Sequence, residues 1–559
     1  MKRINPLIII AIVAISTALF FLLKTHSDEV QREPITDAFV FYIDGKQLIT
    51  KSGIEQHFSE DNRRFLATIA TSELETTEYN EHVIAIAANP DNTGLWLSHP
   101  IYAYANSLDL ETFDGVVIVE VSDITKLDTT INLLKDIADA EGEYLDVKVI
   151  GDTRYFTCDE LIGGYNKSHL AISFDTDNNN NIIRDALSRP LSDLEMFEGY
   201  DMAAYIDLNK VIDMQEKSTI EYIKELKQNL DYSDYDYEIE IYESQIAQSE
   251  ELLMQLSDMR NSLRDDASLI TSLNFEAGQV RLAIDTEGVT FSGDILKELK
   301  NDHLKYIDEE VISLINYNID GTALSQYLND NMPSDMAATL GVSRNEFGMG
   351  LQIALDALSS INGEVTLALL DLNGAINKRY SYYNNNYLEL NSVKAMMLTD
   401  VTDRYIIDNI SRFGGSIFDR TEDGTLSLQV DENNVCVLGQ QEGLLYAGIN
   451  ASLQPSPNPA TAASWYKDIN NSLGYFVLNI NSMLYSSYVD AAYNRWLNNM
   501  SSSDKMLVRE IVSSLDYLYH RIDKKYNNEL VLVFKDRESN ALKQLTDPVV
   551  NYVMQEINY

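Results

Sequence analysis

One short phrase occurs four times in this 559-residue chain, and its spacing limits the folds open to the sequence. Each copy is an apolar, strand-like run ending in Ile, followed by an Asp or Asn placed to cap a helix. Ile319 follows Ile43 by 276 positions, and Ile480 follows Ile206 by 274. These similar offsets predict an internal duplication. The copies are Phe39–Asp44, Ala203–Asp207, Tyr317–Asp320 and Val477–Asn481.

Short apolar runs and helical patterns alternate between these copies. The first half contains a long acidic helical stretch at 215–264, and the second half has two helical patterns, at 482–499 and 504–523. Strands joined by hairpin-length turns and mixed with helices predict an α+β fold with largely antiparallel sheets and helical hairpins. The predicted strands are 116–121, 147–150, 170–174, 289–293, 365–370 and 426–430.

The N-terminus carries a membrane signal. Lys2 and Arg3 precede the uncharged run Leu7–Leu23, which predicts a transmembrane helix with its short N-terminus in the cytoplasm. We expect an uncleaved signal anchor, because cleavage after the small residues 16–18 would leave an apolar new terminus; a cleaved signal peptide is the alternative. The predicted body therefore lies outside the cytoplasm, in the periplasm of the cell envelope.

Three regions follow from these observations. Residues 1–30 form the signal anchor and a short linker, and residues 31–300 form a first α+β half with an extended acidic helical hairpin. Residues 301–559 form a second, similar half. Each half has the length of one or two ordinary domains.

The charge balance excludes one class of partner. The chain has 87 Asp and Glu against 42 Lys and Arg, a formal net charge of -45. Such a body repels nucleic acid. The expected partners are the membrane, through residues 7–23, and an envelope protein or glycan.

A search for catalytic motifs predicts no catalytic or cofactor-binding residue. Zinc-protease, phosphate-loop, dinucleotide and hydrolase-elbow motifs are all absent from the sequence. Ser98 and His99 are neighbours, but on a strand they would point to opposite faces. Cys158 and Cys436 are expected to be two separate buried residues; a disulfide between them is the alternative.

The strongest local motif is a partial calcium loop. Asp175, Asp177, Asn179 and Asn181 place oxygen-bearing side chains at alternate positions, as in the first half of a calcium-binding loop. The glycine of the sharp turn is replaced by Asn180. Calcium is therefore the one candidate cofactor, against a polar loop that leads into a helix over 182–188.

Two further segments suggest a family. The segments Ala38–Gly53 and Leu273–Val280, together with the N-terminal membrane signal, resemble the bacterial envelope proteins classed as domain of unknown function 4836. The resemblance implies a Gram-negative envelope location and brings no activity and no catalytic residues. Many relatives look like lipoproteins, whereas this chain lacks an N-terminal cysteine for acylation.

The sequence thus predicts a membrane-anchored envelope protein whose body is a non-enzymatic binding or scaffold protein. The alternative is an envelope hydrolase or glycan-acting enzyme whose carboxylates converge only in the fold.

Overall fold

The structure is a computed structural model, and it describes part of the chain. The described residues are 37–57, 61, 63–64, 68, 81, 84–86, 88–105, 115–141, 144–158, 161–173, 180–189, 196–232, 236–289, 295–331, 355–378, 386–403, 406–413, 418–421, 424–524 and 526–557. No helix among these residues is long and apolar enough to cross a membrane. The predicted anchor, 7–23, lies outside them.

The chain forms two compact units. The N-terminal unit comprises Ser27–Thr290 together with Glu538–Tyr559, and Phe291–Arg537 belongs to the C-terminal unit. The predicted halves meet at residue 300 and the second runs to 559, whereas the structure assigns the last segment of the chain to the N-terminal unit.

The N-terminal unit contains an antiparallel sheet with the neighbour order β4-β5-β6-β7-β3-β2-β1-β8-β9-β10. Its strands are β1 Phe39–Asp44, β2 Pro100–Ala105, β3 Gly115–Glu120, β4 Asp146–Ile150, β5 Thr153–Cys158, β6 Leu161–Tyr165, β7 His169–Ser173, β8 Met202–Asp207, β9 Leu263–Glu276 and β10 Gln279–Val289.

The helices of the N-terminal unit include the predicted acidic hairpin, which the structure divides into α5 and α6. They are α1 Gly45–Ser52, α2 Ile54–His57, α3 Ile124–Glu141, α4 Asn180–Ser188, α5 Leu208–Tyr232, α6 Asp236–Asn261 and a 3-10 helix at Pro90–Thr93.

The C-terminal unit contains an antiparallel sheet with the neighbour order β14-β15-β16-β17-β13-β12-β11-β18-β19-β20. Its strands are β11 Ser313–Asp320, β12 Ile361–Lys378, β13 Asn386–Val401, β14 Asp419–Arg420, β15 Leu426–Gln429, β16 Val435–Gln441, β17 Leu444–Ile449, β18 Ser472–Asn479, β19 Leu515–Asp523 and β20 Asn528–Phe534.

The C-terminal unit has shorter helices. They are α7 Gly321–Asn331, α8 Ile406–Phe413, α9 Tyr466–Ile469, α10 Ile480–Tyr485, α11 Ser487–Leu497, α12 Ser502–Ser514 and the 3-10 helices Asp302–Tyr306 and Ala460–Ala462. The last helix of the chain, α13 Ala541–Ile557, belongs to the N-terminal unit.

The two sheets follow the same neighbour order when their strands are counted along the chain. The predicted α+β class with antiparallel sheets is therefore confirmed. The second predicted helix of the C-terminal half, 504–523, is wrong beyond Ser514, because Leu515–Asp523 forms β19. Tyr517 and Tyr519 alternate into the core there, a spacing of two that indicates a strand.

Each of the four repeated phrases ends a strand and caps a helix. The side chains of Asp44, Asp207 and Asp320 accept hydrogen bonds from backbone amides in the first turns of α1, α5 and α7. In the fourth copy the cap is Asn479, which accepts from the Ser482 amide at 3.1 Å. The assignment of Asn481 was wrong: it lies within α10 and donates to Asp516.

Glycine follows the cap in two of these copies for a steric reason. A Cβ on Gly45 would lie 2.3 Å from the Leu97 carbonyl oxygen, and one on Gly321 would lie 1.9 Å from that of Leu358. The carbonyl of the turn residue Leu97 thus occupies the space beside the first residue of α1, and that of the helical residue Leu358 occupies the space beside the first residue of α7. The shared Asp-Gly sequence fixes how each helix leaves its sheet.

The inner face of each sheet carries the main core of its unit. In the N-terminal unit this core joins residues of the central strands to Ile183 of α4 and to Phe197. In the C-terminal unit it joins them to Leu304, Ile307 and Trp465. The opposite, outer faces differ between the units, and that difference positions the candidate site.

Candidate functional site

The predicted calcium ligands cannot be placed together. Asp175, Asp177 and Asn179 lie outside the described residues, and Asn181 lies in the first turn of α4. Across the part of the chain that the structure describes, no group of three or more His, Cys, Asp or Glu side chains is arranged to hold a metal ion. Calcium binding stays a prediction.

The neighbours Ser98 and His99 lie in a turn before β2, so the expectation that they lie on a strand was wrong. The His99 amide donates to the Trp96 carbonyl at 2.9 Å, which closes the turn. His99 Nδ1 lies 2.9 Å from Glu120 Oε2, and its ring centre lies 4.1 Å from that of Trp96. A neutral His99 that donates its Nδ1 proton to Glu120 keeps a lone pair on Nε2. The side chains of His99 and Glu120 are 38% and 28% exposed, so solvent reaches this dyad.

A second polar cluster is buried under the C-terminal sheet, around the carboxylate of Glu364. Glu364 is 1% exposed and accepts hydrogen bonds from the backbone amides of Lys300, at 2.6 Å, and Asn301. Asn301 has a left-handed backbone (φ 61°), which asparagine tolerates better than most residues. Glu364 therefore fastens the segment before β11 to the sheet.

His303 adds an arrangement that resembles a catalytic triad. Its Nδ1 lies 2.8 Å from Thr366 Oγ1 and its Nε2 lies 3.2 Å from Asp400 Oδ1. Thr366, however, is fully buried, and its hydroxyl donates to Asn316 Oδ1 at 2.9 Å. A buried hydroxyl that is already engaged cannot reach a substrate, so this arrangement is structural.

The cluster also fixes the protonation of two of its members. Burial by itself raises the pKa of Asp400, but hydrogen bonds from His303 and the Glu364 amide outweigh it and hold that pKa below its usual value. Burial raises the pKa of the Tyr475 phenol. Tyr475 therefore keeps its proton and donates to Asn301 Oδ1 at 3.1 Å.

The outer face of the C-terminal sheet is apolar over five neighbouring strands. The β-ladders align Ile315, Leu367, Met397 and Ala447 in one row across β11, β12, β13 and β17. A second row runs through Ser313, Leu369, Ala395, Ile449 and Cys436. We call these nine residues the apolar face.

The apolar face is open. Leu367 is 42% exposed and Met397 is 37% exposed, and the residues of both rows line a concavity of about 390 Å³. Exposed apolar surface of this kind is unfavourable in water unless a ligand or partner covers it. The apolar face is therefore a candidate binding surface.

The corresponding surface of the N-terminal sheet is covered by a helix over β6 and β7, whereas Phe41 of β1 is 37% exposed. Leu127 and Ile131 of α3 pack on Tyr165 of β6 and Leu170 of β7. Asp128 of the same helix accepts a hydrogen bond from the Tyr165 hydroxyl at 2.8 Å. Helix α3 has 18 residues, whereas the described helix at the same place in the C-terminal unit, α8, has 8.

Sequence reasoning missed the apolar face, although a signal was present. Residues 365–370 form a nearly continuous apolar run, and such runs are typical of strands covered on both sides. Taken alone, the run predicts a strand and does not show which of its faces is covered.

Both cysteines carry free thiols, as predicted, but both side chains are partly exposed and not buried as expected. Cys158 lies in β5 and packs under α3, whereas Cys436 lies in β16 and lines the concavity. Since β16 corresponds to β6 in the strand order, the two cysteines do not occupy equivalent strands.

Comparison with known proteins identifies a family. No curated protein and no solved structure matches this chain. The sequence profile described as Domain of unknown function (DUF4836) matches residues 33–542, which include both sheets. The resemblance seen in the segments 38–53 and 273–280 is thus confirmed, and the chain belongs to the family of domain of unknown function 4836.

Proposed function

We propose that this chain is a non-enzymatic binding protein of the cell envelope, and that the apolar face of its C-terminal unit is its binding surface. The observation that carries this proposal is the exposure of Leu367 and Met397 in the middle of a sheet. A sheet face that is solvated in the free protein is usually polar, whereas this one resembles the centre of a protein interface.

We also propose that the two units arose by duplication of one ancestral unit. The common strand order and the equivalent caps Asp44 and Asp320 support descent of both units from one ancestral unit. In such a pair, one copy can keep a closed, stable form while the other exposes a surface. Helix α3 covers the outer face of β6 and β7 in the N-terminal unit, whereas Leu367 and Met397 are exposed in the C-terminal unit.

The proposed location rests on the sequence. We infer that Leu7–Leu23 anchors the chain in the membrane and that both units lie in the periplasm. A reporter enzyme active only outside the cytoplasm, fused after residue 557, tests this topology. Activity is expected for the full chain, and its absence would contradict an exported body.

The binding proposal is tested by crosslinking in cells, followed by affinity capture and mass spectrometry. The full-length chain is compared with an anchor-deleted chain and with Leu367→Asp. A control, Leu530→Asp, changes a 37% exposed leucine on β20 that lies outside the apolar face. We expect a reproducible partner that is lost with Leu367→Asp and retained with Leu530→Asp. A partner equally captured by both variants would contradict a role for the apolar face.

A second candidate function is hydrolysis, favoured by the His99–Glu120 dyad. A partly exposed histidine oriented by a carboxylate can act as a general base, and the adjacent Trp96 offers a flat apolar surface to a sugar ring. Turnover of glycan or peptide substrates that disappears with His99→Ala but persists with Leu367→Asp would favour this candidate over the first.

A further inference from the structure

Strand β4 forms an open edge of the N-terminal sheet. It pairs with β5 on one side, from Asp146 opposite Thr157 to Ile150 opposite Thr153, and no strand in the described part of the chain pairs with its other side. Two apolar side chains of this strand also reach water: Val149 is 68% exposed and Ile150 is 64% exposed. A sheet edge with outward-facing backbone groups and exposed apolar side chains is a place where another strand can add.

The C-terminal sheet protects the edge at the same place in its strand order. Its edge strand β14, Asp419–Arg420, has only two residues, and both are charged and exposed. Arg420 also pairs with Asp408 of α8 at 3.0 Å. Short, charged edge strands are a common protection against pairing with another chain. Strand β4 has five residues and lacks this protection, except for Lys148 at its centre.

The turn after β4 determines which backbone groups of the strand face outward. A two-residue turn separates Ile150 from its ladder partner Thr153, and in such a hairpin the flanking residues form a hydrogen-bonded pair. Because hydrogen-bonded and non-hydrogen-bonded pairs alternate along an antiparallel ladder, Lys148 also directs its amide and carbonyl to β5. The amides and carbonyls of Val147 and Val149 therefore face outward.

A second copy of β4 fits this edge in one antiparallel register. With Val147 opposite Val147 of the second copy, the outward groups of the two strands meet, and each Asp146 lies opposite Lys148 of the other copy. Asp146 and Lys148 point to the same side of the strand, since Lys148 Nζ lies 2.7 Å from Asp146 Oδ2. Opposite charges across a ladder stabilise the pairing. The neighbouring register, with Val147 opposite Val149, would instead place two Lys148 side chains opposite each other.

We propose that this chain forms a homodimer in which β4 of one copy pairs antiparallel with β4 of a second copy. The N-terminal sheets of the two copies then continue into one another. This interface is separate from the apolar face of the C-terminal unit and does not depend on the proposed binding function. The charge complementarity of β4 with itself carries the proposal.

The register is tested by a disulfide in the full-length chain with Cys158→Ser and Cys436→Ser. In the proposed dimer the two copies of position 147 lie opposite, with about 5.5 Å between their Cα atoms, which a disulfide can span. The two copies of position 150 lie six residues apart along the strands, about 20 Å. We expect a crosslinked dimer of Val147→Cys under mild oxidation and none of Ile150→Cys, although the thiol at 150 is the more exposed. The opposite result would overturn the proposal.

The charge pairing is tested by exchanging the charges and measuring the dimer Kd of the full-length chain by analytical ultracentrifugation in detergent. Asp146→Lys and Lys148→Asp each place like charges opposite at two positions, so each should weaken the dimer by about tenfold or more. An equimolar mixture of the two variants should dimerise again, because every pair then joins opposite charges. A misfolded variant would not be restored by mixing.

The control is Asp185→Lys, which changes an exposed acid on α4 and should leave the dimer Kd unchanged. A chain that stays monomeric at micromolar concentration, or a dimer that both single variants leave intact, would overturn the proposal. So would two variants that weaken the dimer without recovery on mixing.

Discussion

Leu367 lies directly opposite Met397 in the ladder between β12 and β13, and the two side chains are 42% and 37% exposed. On the other side of the same strands, Ala368 and Met396 are buried in the core. The two strands are thus apolar on both sides although only one side is covered. Substitutions on the exposed side should therefore change binding, whereas substitutions on the buried side should change the stability of the fold.

We expect Leu367→Asp to change the free energy of unfolding by no more than about 1 kcal/mol, because the side chain is already partly solvated. The same substitution at Leu530 should have a similar effect. Chemical denaturation of both variants checks this. A loss of several kcal/mol for Leu367→Asp alone would show that the apolar face is part of the core.

Glu364 should be among the most sensitive polar positions of the C-terminal unit. Glu364→Ala leaves the buried amides of Lys300 and Asn301 without their acceptor, which costs about 3 kcal/mol. The matched control is Glu432→Ala, an exposed carboxylate whose removal should cost less than about 0.5 kcal/mol. Equal effects in urea unfolding would contradict the fastening role of Glu364.

Asp400 should make stability depend on pH in the acid range. Because its folded pKa is lowered, its contribution is present above the unfolded pKa of about 3.9 and is lost as the pH falls through the folded pKa. Asp400→Asn should therefore destabilise the protein at pH 5 and have a smaller effect at pH 2. Urea unfolding at both pH values tests this, with Asp371→Asn as the exposed control. A difference that grows on acidification would contradict the assignment.

The two glycines that follow the caps should respond alike to a methyl group. Gly45→Ala and Gly321→Ala both force a neighbouring backbone carbonyl to move, so each should cost about 2 kcal/mol or more. At Gly151 the space around a Cβ is empty, and Gly151→Ala should cost only the left-handed backbone penalty of about 1 kcal/mol. Thermal unfolding of the three variants distinguishes the two mechanisms.

Calcium binding at Asp175 and Asp177 has a direct thermodynamic test. A site loaded at ten times its Kd would stabilise the protein by about 1.4 kcal/mol, and the stabilisation would vanish in the double variant Asp175→Ala, Asp177→Ala. An unchanged melting temperature in millimolar calcium would contradict calcium binding and favour the interpretation of this segment as a polar loop.

Local sequence patterns predicted many elements of this fold, because a helix cap or a strand depends on only a few consecutive residues. The phrases ending at Asp44, Asp207 and Asp320 place a strand end and a helix start correctly. Asn481 was misassigned because Asn479, two residues earlier, can cap equally well. The order of neighbouring strands, by contrast, depends on long-range pairing, which no single segment encodes.

The candidate site was harder to predict for a related reason. Whether Leu367 is covered depends on segments that are distant in the sequence, not on the strand that carries Leu367. The His99–Glu120 contact likewise joins a turn to the end of β3. Such contacts between distant segments leave no local mark in a sequence.

The most direct test of the central claim is a photo-crosslinking amino acid placed at position 367 of the full-length chain in cells. The control is the same residue at Tyr485, which is 87% exposed on α10 of the same unit. The account predicts one reproducible adduct with a distinct protein at position 367 and none at 485. Equal labelling at both positions, or no adduct at 367, would contradict a binding role for the apolar face.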